Sequence, residues 1–183
     1  MAELLNNVVN NPEIVDSIAN KLGIEASDTE SVIAYLAPIL MGAIKQNFQS
    51  NRNSTDLLNQ IQDSQFSDII DSPKKAVEKD NLTDIGNTIL KELIGSKDNS
   101  LKMASHVQKE TGISDIIIKK ILPMIAPFVI GSLGKKAAPS INQNQSNNST
   151  DSGLENILIS MIDKDHDGSI VDDMMKMAMK YLA

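Results

Sequence analysis

The sequence predicts an all-α protein, and three observations lead to that prediction. Apolar residues recur at helical spacing through most of the chain. Glycines and capping residues end these apolar faces at regular points. The available core material is aliphatic, because 41% of the 183 residues are hydrophobic but only 3% are aromatic. Such a core suits helices packed on helices, and we expect a helical bundle built from two duplicated helix hairpins, plus a short C-terminal helix–loop–helix.

The N-terminal quarter predicts two helices. The first begins at Pro12, which suits a first helical turn, and ends at Gly23, which suits a left-handed C-terminal cap. The second follows a capping sequence at 27–30 and carries an apolar face as far as Ile44. Pro38 lies inside this second helix and predicts a kink. The polar residues that follow, 47–55, predict a loop.

The rest of the chain predicts a series of helices. These are expected at 55–61, 66–70, 82–94, 100–111 and 114–133, with a weakly patterned stretch at 72–81. The last helix contains Pro123 and Pro127, and its uncharged apolar run covers 121–133. That run is shorter than the roughly 20 residues needed to cross a bilayer. We therefore interpret it as a buried core helix, with membrane contact as the alternative.

An internal repeat relates the two long apolar helices. Residues 18–44 align with 107–133 without a gap, and each half reads as a helix hairpin with one uncovered apolar face. Packing the halves together would bury both faces. Gly42 and Gly131 lie one turn beyond the aligned prolines, where a missing side chain lets a neighbouring helix approach. The identical pairs are Gly23/Gly112, Ala37/Ala126, Pro38/Pro127 and Gly42/Gly131.

Composition divides the chain into three parts. Residues 139–152 read PSINQNQSNNSTDS, a polar low-complexity stretch with almost nothing to bury. We interpret it as a linker. It separates a helical body, 1–138, from a C-terminal unit, 153–183.

The last apolar helix carries a family resemblance. Residues 122–135 read LPMIAPFVIGSLGK and follow the turn 111–114, Thr-Gly-Ile-Ser. This combination resembles the bacterial family classed as domain of unknown function 937, which includes YidB-like proteins. The resemblance covers roughly 3–135, and the acidic stretch 163–173 resembles a tail motif of some members. It implies a helical bacterial protein and brings no activity, substrate or catalytic residue. Asn-rich linkers stand where glycine-rich ones are common in the family.

An acidic loop near the C-terminus predicts a calcium site. Its alternating aspartates match positions 1, 3 and 5 of an EF-hand loop, and Gly168 allows the tight turn at position 6. Position 12 holds Met174 instead of the usual glutamate, so one of two later aspartates would have to close the site. The spacing resembles dockerin and excalibur loops. The candidate ligands are Asp163, Asp165, Asp167, Ser169, Asp172 and Asp173.

A metal-free interpretation of the same loop stays open. In that interpretation the aspartates cap the following helix and bind no ion. Three carboxylates at alternate positions would repel each other without a cation, and this favours calcium.

Composition and motifs argue against several function classes. The formal charge of −7 and the scarcity of aromatic residues disfavour a nucleic-acid surface, and no basic patch is evident from the lysine pairs at 74–75 and 135–136. The absence of cysteine excludes thiol chemistry. The two histidines, His106 and His166, have no partner suggested by spacing, and no catalytic motif is present. We expect a non-enzyme.

The expected role is protein interaction. The helical body would contact a partner protein or another copy of the chain, with calcium in the C-terminal unit. The alternative is a membrane-associating protein that uses its apolar, proline-containing hairpins. The N-terminal residues do not resemble a signal peptide, and the expected location is cytoplasmic by default.

Overall fold

In a computed structural model of the chain, the residues described are 8–49, 54–95 and 97–143. These residues form α-helices joined by short turns, without strands, and the predicted all-α class is confirmed. The helices with complete bounds are α1 (Pro12–Leu22), α2 (Ala26–Gln49), α3 (Ser54–Gln62), α4 (Ser64–Asp71), α5 (Pro73–Glu78), α6 (Leu82–Ile94), α7 (Lys97–Thr111) and α8 (Asp115–Gln143).

Helix α8 is the centre of the bundle. It packs against α1, α2, α3, α4, α6 and α7. Every residue from 121 to 134 is buried, and the side chains of Ile125, Phe128 and Ile130 are fully inaccessible. A helix that is apolar all round is stable only when other elements surround it. The long apolar run predicted from the sequence is therefore the core of the described body.

The same helix is long and apolar enough to span a membrane by length and composition alone. Its segment Asp115–Lys136 is 22 residues long, and 78% of its most apolar window is buried inside the molecule. In the described residues, this is the one helix that meets the length and composition of a membrane span. Its apolar surface is already covered by other helices, as expected for a core helix.

Two helix hairpins frame the core. Helices α1 and α2 join through Gly23, and α7 and α8 join through Gly112, with φ of +67° and +74° respectively. Only glycine adopts this left-handed conformation without strain. Helices α2 and α8 then pack against each other, as do the two members of each hairpin. The architecture of two duplicated hairpins stays a prediction.

Gly131 allows a close helix crossing, as expected from the repeat. A Cβ atom on Gly131 would lie 2.1 Å from the carbonyl oxygen of Phe66 in α4. That separation is far inside van der Waals contact, so any larger residue would force α4 and α8 apart.

The predicted loop at 47–55 is wrong at both ends, because α2 continues to Gln49 and α3 begins at Ser54. Asn47 and Phe48 are buried, and the side-chain nitrogen Nδ2 of Asn47 donates hydrogen bonds of 2.9 Å to the carbonyls of Ala43 and Leu93. A polar residue that bonds to a neighbouring helix looks like a loop residue in the sequence. Tertiary contacts therefore extend the helix beyond its apolar pattern.

The weakly patterned stretch at 72–81 contains a short helix, α5. Pro73 stands in its first turn, where the missing N–H costs no hydrogen bond, and Pro73, Ala76 and Val77 are buried. Helix α5 packs on α1 and α4. At the other end of the body, α8 continues to Gln143, inside the stretch interpreted as a linker at 139–152.

Candidate functional site

The residues predicted to bind calcium all lie outside the described residues: Asp163, Asp165, Asp167, Ser169, Asp172 and Asp173. The calcium site therefore stays a prediction. Within the described body, no group of three or more histidine or acidic side chains is placed so that it could hold a metal ion.

The body does form a concave surface, along the N-terminal half of α8. Ile116, Lys119, Lys120 and Pro123 are spaced i, i+3, i+4 and i+7, so they share one face of the helix. Both lysines are exposed, and the side chain of Ile116 is 62% exposed. Two clefts meet at this face and share Lys119 and Pro123 among their lining residues.

The first cleft lies where α6, α7 and α8 meet, and its volume is about 500 Å³. Leu90, Leu101 and Leu122 give it an apolar lining. Two charged side chains line it, Lys91 from α6 and Lys119 from α8. A cleft with this lining can hold an apolar group and place an anionic group against the two ammonium groups.

The second cleft continues from the first and has a volume of about 460 Å³. Lys21 comes from the last turn of α1, Lys79 follows α5, and Lys119 and Lys120 come from α8. Asp80 is the one acidic residue in its lining. We call the two joined clefts the lysine cleft.

A contact between two helix backbones fixes the walls of the lysine cleft. In a regular helix the carbonyl of Pro123 would accept from the N–H of residue 127, but Pro127 has none. Gly86 of α6 packs against this carbonyl so closely that a Cβ on Gly86 would lie 1.6 Å from its oxygen. The Cα–H of Gly86 therefore meets an oxygen that lacks its helical donor. This contact sets how closely α6 approaches α8 at Pro123.

One of the cleft lysines already has an anionic neighbour. The ammonium of Lys119 lies 2.5 Å from the carboxylate of Asp115, one helical turn earlier. The hydrogen bond from Lys119 is the main reason that the pKa of Asp115 lies below its ordinary value of 3.8. Both side chains are partly exposed, at 40% and 34%. An incoming anion would compete with Asp115 for Lys119.

A separate polar cluster joins α3 to α6. The side-chain nitrogen Nε2 of Gln60 donates to the carboxylate of Glu92. The Gln60 Oε1 atom is buried without a hydrogen-bond partner among the described residues. Burial raises the pKa of Glu92 above its ordinary value of 4.5, and the negative charge of Asp56 adds to the rise. The Gln60 hydrogen bond and Lys91 oppose it. This cluster contacts the edge of a smaller cleft of about 310 Å³, which Gln60 also lines.

A comparison with known protein families identifies the family of this chain. The family model described as "Bacterial protein of unknown function (DUF937)" matches residues 3–136. The chain belongs to the DUF937 family. No curated protein and no solved structure matches it. The resemblance carried by the Ala-Pro helix is thereby confirmed over the helical body, and the match ends before the acidic loop.

The sequence did not reveal the lysine cleft of this DUF937 protein. Its lysines come from four separate segments of the chain, and no two segments are adjacent in the sequence. Only Lys119 and Lys120 are neighbours, and in the sequence they appear merely to interrupt an apolar run. Their spacing from Pro123 was the one available signal, because it places all three on a single helix face.

Proposed function

We propose that this DUF937 protein is a non-enzymatic, calcium-binding helical scaffold that interacts with another protein or with a second copy of itself. The observation that carries the proposal is the spacing Asp163-x-Asp165-x-Asp167-Gly168. Alternating carboxylates followed by glycine provide the oxygen ligands and the tight turn that calcium requires. In this arrangement calcium offsets the mutual repulsion of the carboxylates.

The helical body supports the scaffold part of the proposal. Its core is continuous, and α8 contacts helices from both ends of the described chain. A body held together in this way presents fixed surfaces, and fixed surfaces reduce the entropy lost on binding. The calcium unit would add a separate, ion-dependent surface at the C-terminal end.

The alternative function is membrane association through the apolar hairpins. The length and composition of α8 favour it, but 78% of the most apolar window is already buried inside the molecule. Insertion of α8 into a bilayer would require its separation from the helices around it. The scaffold proposal needs no such rearrangement.

Isothermal titration calorimetry with calcium tests the proposal on the full chain. We expect about one ion per chain, with a dissociation constant on the order of 10⁻⁴–10⁻³ M, because the closing ligand at position 12 is absent. The double variant Asp165→Ala, Asp167→Ala should lose this binding. The double variant Asp151→Ala, Glu155→Ala changes the charge equally nearby and should keep it.

Two results would overturn the calcium proposal. One is the absence of both heat and any shift in melting temperature at millimolar calcium. The other is an equal loss of binding in the two double variants, since that would show attraction to general negative charge and no specific loop.

A further inference from the structure

The lysine cleft has an excess of positive charge, although the net charge of the chain is negative. The chain carries a formal charge of −7, yet five lysines line the joined clefts against a single lining acid, Asp80. Even with Asp115 paired to Lys119, cations remain in excess there. Lysines in neighbouring positions repel each other, so a local excess on an acidic protein favours the binding of an anion.

The shape of the cleft limits the size of that anion. Its two parts measure about 500 and 460 Å³, which is the usual size of small-molecule sites. A nucleic acid would need aromatic platforms or a long charged track, and no aromatic side chain lines either part. The ligand therefore fits inside the cleft and does not run across the surface.

The lining of the first part indicates the chemistry of the rest of the ligand. Leu90, Leu101 and Leu122 offer an apolar wall, and Leu101 is itself 36% exposed. Lys91 and Lys119 reach this wall from two different helices. Leu90 and Leu122 are themselves buried, so Leu101 supplies most of the apolar side-chain surface that stays open to water here. Covering that surface with an aliphatic group is favourable.

The geometry points to a binding site for a single-chain amphipathic anion in the lysine cleft. The aliphatic body lies against the leucine wall between α6, α7 and α8. The phosphate or carboxylate head lies near Pro123, within reach of Lys91 and Lys119. Lys21, Lys79 and Lys120 line the second part and strengthen the positive potential that attracts the head group. This proposal does not rest on the calcium loop.

Titration with monomeric dodecyl phosphate, followed by ¹H–¹⁵N chemical-shift mapping of the full chain, tests the site. We expect saturable binding, with the largest shifts at the amides of Asn87, Gly95 and Leu101. The double variant Lys91→Gln, Lys119→Gln should bind about tenfold more weakly, since two exposed charge contacts together account for roughly that factor. Dodecanol, which lacks the charge, and inorganic phosphate, which lacks the aliphatic body, should both bind much more weakly.

The matched control is the double variant Lys74→Gln, Lys109→Gln, whose lysines are exposed and line neither part of the cleft. It removes the same charge and should retain the affinity of the wild type. Equal weakening in both double variants would overturn the site, as would equal binding of dodecanol. Binding only to phosphatidylglycerol vesicles, without binding of free dodecyl phosphate, would also overturn it, because that result would indicate a membrane surface.

Discussion

At the scale of single residues, the close packing of the helices depends on two glycines, which have no side chain. Gly86 and Gly131 each allow a helix backbone to touch α8. The repeat predicted a close approach at Gly131, because Gly42 occupies the matching place. Gly86 lies outside both repeat copies, and a glycine inside a helical pattern ordinarily only lowers helix stability. Its partner, Pro123, is 37 residues away, so the local sequence holds no sign of the contact.

Gly86→Ala should destabilise the protein, although alanine is the better helix former. The new Cβ would lie 1.6 Å from the Pro123 carbonyl oxygen, and neither backbone can move without shifting a helix. We expect a loss of about 3 kcal/mol in the free energy of unfolding, as for severe overpacking. Urea unfolding followed by circular dichroism measures it. Asn87→Ala, at the next and exposed position, should change stability by less than about 0.5 kcal/mol. Stabilisation by Gly86→Ala would show that the two backbones are not in contact.

At the scale of elements, the sequence identified helices with strong apolar faces and failed where polar residues support a helix. Helices α1 and α6 follow their predicted bounds: both end at a left-handed glycine, and α1 also begins with a proline after the capping side chain of Asn11. The end of α2, all of α5 and the part of α8 beyond residue 133 were missed. The end of α2 and all of α5 are stabilised by contacts with distant segments, and local patterning carries no information about such contacts.

Asn47→Ala should reveal how α2 supports α6. The Asn47 side chain donates to the carbonyl of Leu93 in the last turn of α6, where helical carbonyls have no partner of their own. Removal of a buried donor leaves that carbonyl unsatisfied and should cost about 2 kcal/mol of unfolding free energy. Chemical denaturation gives the value. Asn20→Ala, at an exposed position of α1, is the matched control and should cost less than about 0.5 kcal/mol. If the two variants lost equal stability, the bond across the helices would contribute nothing.

At the scale of the whole molecule, the sequence predicted the class and the core helix but not the surface. The apolar run that becomes the centre of the bundle is visible as a pattern, because a helix that is apolar on all sides is stable only when it is buried. The lysine cleft is not visible, because Lys21, Lys79 and Lys91 are ordinary solvated cations in the sequence. Only the packing of α1, α5, α6 and α8 brings them to one place.

The position of α8 predicts that the helical body unfolds as one unit. Helix α8 packs against helices from the first to the last part of the described chain, so its amides can open only when those contacts are lost. Native-state hydrogen exchange should therefore give the buried amides of α2, α6 and α8 the same free energy of opening. Phe128→Ala removes a fully buried ring from α8 and should lower all three by about 4 kcal/mol.

Leu101→Ala truncates a side chain that is 36% exposed on α7 and should lower the same values by less than about 1 kcal/mol. A fall confined to α8 in Phe128→Ala would mean that α8 can open while the rest of the bundle stays folded. In that case the helix would be free to leave the core, and membrane association would become the better account of its 22-residue apolar segment. Equal falls in all three helices would instead show that α8 leaves the core only when the whole body unfolds, which counts against membrane insertion of α8.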